Sequence, residues 1–140
     1  MANNLQFSIA VHLMAGLACG CEGEGLTSSH LAASVNTSPS FVRRTLAKLS
    51  KAGLIETTTG KGGACRLARD AKGVSLLDIY RAVDAPKVFA IHDYSEQKQC
   101  HVSCHIKSAL EKAQARTQKA METGLSEISL AQIVSDVRKK

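Results

Sequence analysis

The stretch from Thr27 to Leu67 limits the fold more tightly than any other part of the chain, because it holds two separate helix starts and a glycine-rich reversal in quick succession. Thr27 is a good N-cap, since its hydroxyl can accept an N–H that the first helical turn leaves without a partner. It predicts a short helix from about Ser28 to Val35, with Leu31 and Val35 turned inward. Asn36-Thr37 makes a brief connection. Ser38 then caps another helix, and Pro39 falls at its first position, where a missing N–H does no harm. Val42, Leu46 and Leu49 stand at i, i+4 and i+7 and form its buried stripe, and Gly53 is placed to stop it. Leu54 to Thr59 and Ala64 to Leu67 are β-prone runs around Gly60-Lys61-Gly62-Gly63, hence a hairpin. Helix, turn, helix and hairpin in that order predict a winged helix-turn-helix.

The flanks complete a mainly α fold. Leu5, Ile9, Leu13 and Leu17 recur every four residues, with Phe7 and Val11 widening the apolar face, so a first helix should run from Leu5 to Cys19. After the hairpin, Ser75 and Asp78 form a capping-box-like pair ahead of Leu76, Ile79, Tyr80 and Val83, and Pro86 closes that helix. Lys87 to Gln99 is irregular and polar. Ser103 to about Leu125 reads as one long helix of about 30 Å. Along it Ile106, Leu110, Ala113, Thr117, Ala120 and Gly124 alternate steps of four and three, a heptad-like seam of small residues that invites a second helix and so predicts a homodimer. Ser129, with Gln132 three residues on, starts a last helix. The expected divisions are a DNA-binding domain over 1–85, an irregular linker or sensor segment over 86–102, and a dimerisation helix with a final packing helix over 103–140.

Charge is concentrated where the helix-turn-helix lies. The net charge is +6, and seven Lys/Arg against the single acid Glu56 between Leu26 and Arg69 account for all of it. Ser40, Arg43, Arg44, Ala47, Lys48 and Lys51 project away from the buried stripe of the helix that Ser38 caps. A helix fits the major groove of a duplex, and residues near its N-terminus reach base edges. Ser40, Arg43 and Arg44 occupy that end, while Lys48 and Lys51 are placed to meet phosphates. Thr27, Ser28 and Ser38 offer hydroxyls and helix N-termini to the backbone. Lys61, Gly62 and Gly63 at the hairpin tip suit close approach to phosphate or a minor groove.

No nucleotide-binding loop or nucleophile–base pair stands out, so an enzyme is not expected. No apolar run approaches the ~20 residues of a membrane span, no signal peptide is visible, and the five cysteines are an odd number, which together point to the cytoplasm. Two other functions fit less of the pattern. One is a small thiol- or metal-binding redox protein without specific DNA binding. The other is an adaptor whose winged helix binds protein.

The sequence resembles the Rrf-two (Rrf2) family of bacterial winged helix-turn-helix regulators. The matching stretches are Phe7-Ser-Ile-Ala-Val-His-Leu-Met14, Ser38-Pro-Ser-Phe-Val-Arg-Arg44, Leu46-Ala-Lys-Leu-Ser-Lys-Ala-Gly-Leu-Ile55, Gly60-Lys-Gly-Gly63, Val74-Ser-Leu-Leu-Asp-Ile-Tyr-Arg-Ala-Val83 and Cys104-His-Ile-Lys-Ser-Ala-Leu-Glu-Lys-Ala113. The resemblance implies a dimer joined along the long helix, with two winged helices reading a palindromic operator. It also implies that Ser38, Ser40, Arg43 and Arg44 contact bases and backbone. Where some relatives place an Arg before the wing turn, this chain has Thr59, so that minor-groove reading falls to Lys61 or is weaker. Repression is the default for so small a regulator.

Cluster-binding relatives carry three cysteines ahead of the dimer helix, and this chain has only Cys100 and Cys104 there. Two sensor chemistries stay open beside the absence of any. One is an iron–sulfur or metal site of Cys100, Cys104 and a partner subunit's His12, joined by His101 or His105. The other is thiol oxidation, because i and i+4 thiols at a helix start share a face and a helix N-terminus favours the thiolate.

Overall fold

The computed structural model describes residues 5–20, 27–58 and 64–139. The elements are α1 (Leu5–Cys19), α2 (Ser28–Val35), α3 (Pro39–Lys51), β1 (Ile55–Thr57), β2 (Cys65–Leu67), a 3-10 turn (Ala71–Gly73), α4 (Leu76–Ala82), α5 (His101–Ser126) and α6 (Leu130–Arg138). The wing tip, with Lys61, Gly62 and Gly63, lies outside the described residues, as does Thr59.

Local chemistry sets most boundaries. The Thr27 and Ser38 hydroxyls accept the N–H groups of His30 and Phe41, each at 3.2 Å. Asn36 turns α2 into α3 through a left-handed conformation, φ 61°. Gly53 ends α3 at φ 78°, and the N–H groups of Gly53 and Leu54 donate to the Ser50 and Leu49 carbonyls. That is a Schellman ending, whose left-handed position strongly favours glycine because a Cβ is strained there. β1 and β2 then pair antiparallel with Glu56 opposite Arg66. Ser75–Asp78 and Ser129–Gln132 are both full capping boxes.

α1 runs through the middle of the molecule and touches α2, α3, α4, α6 and β2. Its buried residues are Ala10, Leu13, Met14 and Ala15. The four-residue stripe expected of it is therefore only partly right: Leu5 is 60% exposed, and Ile9 and Leu17 are half-buried. Elements pack on several sides of α1, so its apolar residues spread around the helix and no single face stands out. The core is completed by Leu31, Val42, Leu46, Leu49, Leu54, Ile79 and Leu130, which are almost free of solvent.

α6 returns to this body. Leu76 donates its N–H to the Ile128 carbonyl and Leu130 to that of Val74, so the two capping boxes meet in a short antiparallel bridge between Ser75 and Ser129. α5 spans 26 residues, roughly 39 Å at 1.5 Å per residue. It starts at His101, two residues before the expected Ser103, because Cys100 itself serves as the N-cap and accepts the Ser103 N–H at 3.4 Å.

Candidate nucleic-acid interface

The exposed face of α3 carries Ser40, Arg43, Arg44, Ala47 and Lys51. Opposite it, Val42, Thr45, Leu46 and Leu49 are buried, so core packing fixes the rotation of the helix. Among the described residues neither Arg43, Arg44 nor Lys51 has an acidic partner; the ion pairs are Arg66–Glu56, Arg81–Glu122 and Lys139–Asp136. The Arg44 guanidinium lies 5.7 Å from the centre of the Phe41 ring. A cation over an aromatic face keeps its N–H fork available while limiting its wandering.

Lys48 departs from the phosphate-contacting role expected of it. Its ammonium donates to Gln6 Oε1 at 3.2 Å and to the Val83 carbonyl at 3.5 Å, which turns it towards α1 and the end of α4. At 100° per residue Lys48 lies only about 60° around the helix from Thr45, which is wholly buried. That placement at the edge of the packed face was the available signal.

A groove of about 550 Å³ separates α3 from the hairpin. Ser28, Arg43, Lys51, Thr57 and Thr58 line it, and Cys65 forms part of its floor. Burial pushes the Cys65 thiol up from its ordinary pKa, in keeping with a packing role. Sequence reasoning did not single out Thr57 and Thr58; the Thr58 hydroxyl accepts the Ala64 N–H at 2.8 Å and so helps to close the hairpin. Nor did it anticipate that Glu56 would sit 3.6 Å from Arg66 across the strands and offset its charge.

The sensor candidates do not assemble within one chain. Cys104 Sγ–H donates back to the Gln97 and Lys98 carbonyls at 3.6 and 3.8 Å. His12 shares a 3.0 Å hydrogen bond with Ser34 Oγ. His101 and His105 stand together at the start of α5. Among the described residues no three His, Cys, Asp or Glu side chains converge as a metal-binding group.

Along α5, Gln114, Gln118 and Glu122 face the body. Gln114 donates to the Phe89 carbonyl and Gln118 to the Tyr80 hydroxyl, while Gln118 Oε1 accepts the Val88 N–H. Glu122 receives Arg81 at 2.9 Å, and hydrogen bonds from Arg81 and then Gln118, followed by the Arg81 charge, hold its carboxyl below the usual range. The predicted seam lies elsewhere on the helix. Ile106 and Leu110 are half-buried, and Ala113, Thr117, Ala120 and Gly124 are exposed. Val102, 63% exposed, extends the same line by one turn.

Residues 4–136 match the profile of the Rrf2 family, described as an iron-dependent transcriptional regulator. YwnA of Bacillus subtilis, named as an HTH-type transcriptional regulator, is 34% identical over 133 residues, covering 94% of this chain and 96% of that one. A crystal structure of a protein described as DNA-binding is similar with a TM-score of 0.70 and 31% identity, covering 91% and 97%. A Lactobacillus plantarum protein named as a transcriptional regulator superposes with a TM-score of 0.81 at 24% identity, over 96% and 91%, which speaks to the fold alone. Among the described residues no helix is long and apolar enough to cross a membrane. An iron–sulfur cluster takes about four ligands, mostly thiolates. Two cysteines, with both sulfurs engaged by backbone groups, do not make that set in one chain. What these side chains supply unaided is thiol chemistry.

Proposed function

Because the chain belongs to the Rrf2 family of transcriptional regulators, we propose that it binds a palindromic operator as a homodimer and represses transcription there, in the cytoplasm. It is a regulator and not an enzyme. The observation that carries the reading is the outward, acid-free set of Arg43, Arg44 and Lys51 on α3. Ser40, Arg43 and Arg44 enter the major groove, where an Arg fork can bind O6 and N7 of guanine and supply about 1–3 kcal/mol of discrimination. Lys51 meets phosphate, as do the N-terminal turns of α2 and α3 through Thr27, Ser28 and Ser38. Lys61, Gly62 and Gly63 serve the wing.

Two copies pair along Ile106, Leu110, Ala113, Thr117, Ala120 and Gly124, which sets the half-sites about one helical turn, ~34 Å, apart. The DNA-reading body then comprises residues 5–85 together with α6, residues 86–100 link it to α5, and α5 is the dimer helix. Cys100 and Cys104 act as the signal input. A peroxide oxidises the Cys100 thiolate to a sulfenic acid, and attack by the Cys104 thiol gives a disulfide and releases water. Closing that bridge unwinds the first turn of α5, because i and i+4 thiols of an intact helix are poorly aimed at one another.

The test uses a duplex that the protein has selected from a random pool. Arg43→Ala/Arg44→Ala should lose specific binding in fluorescence anisotropy while its circular dichroism stays native. Undiminished affinity would remove α3 as the reader. Ala113→Glu/Ala120→Glu should run as a monomer in light scattering and bind far more weakly.

A further inference from the structure

His101 and His105 open α5 one turn apart, with ring centres 4.5 Å from each other and ring planes inclined at 55°. Both residues are exposed. Residues four apart on a helix share a face, so the pairing follows from the backbone itself. The other histidines with a described ring contact are engaged: His12 bonds Ser34, His30 bonds Thr27, and His92 stacks on Tyr94. The His101 and His105 rings have each other.

Neutral imidazoles are borderline donors suited to zinc, nickel and copper. With metal–nitrogen bonds of about 2.0–2.1 Å, two imidazoles meeting one ion at a right angle hold their ring centres roughly 4.5 Å apart. The 4.5 Å between the two ring centres matches that spacing. We propose that His101 and His105 form a two-imidazole surface site for a divalent transition-metal ion, with water completing the coordination. The thiols are not needed for it: Cys100 Sγ accepts the Ser103 N–H, and Cys104 Sγ–H points back to the loop carbonyls. An ion held there ties the first turn of α5 to the second. The site belongs to the reduced protein, in which the first turn of α5 is intact, and it stands whether or not α3 reads DNA.

The experiment is calorimetric titration of nickel chloride into the full, untagged chain, with a non-thiol reductant present. Wild type should take up about one ion per chain. His101→Ala and His105→Ala should each weaken uptake at least tenfold, with far-UV circular dichroism unchanged. His92→Ala and Cys100→Ser/Cys104→Ser should bind as wild type does. Three results would each overturn the site: no saturable uptake up to millimolar nickel, full affinity in either single alanine variant, or loss of uptake in the cysteine double variant.

Discussion

Lys48 and Lys51 lie three residues apart on α3, yet Lys51 is exposed while Lys48 is half-buried and bonded inward. Their removal should therefore be felt in different measurements. Lys51→Ala should flatten the dependence of log affinity on log salt by about 0.9 for each phosphate it no longer neutralises. Lys48→Ala should leave that slope alone and lower thermal stability, by about 0.5–1.5 kcal/mol for a hydrogen-bonded group. Equal slopes for the two variants would contradict the division. The outward direction of Arg43 and Arg44 was legible in the sequence because it follows from the period of Val42, Leu46 and Leu49. The partners that hold Lys48 inward, Gln6 and Val83, were not, since they are 42 and 35 residues away in the chain. Pairings at that range are set by packing and leave no local mark.

At the scale of elements, caps were the readable feature. Thr27, Ser38, Ser75 and Ser129 all cap the helices assigned to them, because capping is settled within four residues of chain. The start of α5 was missed for the complementary reason: its cap is Cys100, a residue type that carries no usual start signal. The buried face of α1 was misjudged at Leu5 because packing comes from several sides, and periodicity cannot choose between them. Gly53 is the strictest local requirement. Nothing lies within 4 Å of where a Cβ would be, so steric crowding is not the issue. Its φ of 78° is, and Gly53→Ala should cost about 1 kcal/mol in urea denaturation through backbone strain alone. A neutral or stabilising result would mean that the end of α3 rearranges.

For the whole molecule, the polar joint between α4 and α5 matters most. Arg81 and Gln118 hold the Glu122 carboxyl below its usual range, so the folded form favours the charged carboxylate. The stabilisation is present above the ordinary carboxylate range and is lost as pH falls through the lowered value. Melting temperature followed downward from pH 7 should thus fall less steeply in Glu122→Gln than in wild type, from a lower starting point. Parallel curves would show that this ion pair does not contribute to acid sensitivity.

The return of α6 to α1 has a consequence for how the protein is made. Leu130 fills a place in the core, and Arg138 reaches the Ala18 carbonyl across 120 residues of sequence. A nascent chain cannot complete the core around α1 until α6 has left the ribosome, by which time all of α5 is already outside. A product cut short within α5 is left with a gap where Leu130 belongs. Premature termination should accordingly yield fragments destined for proteolysis.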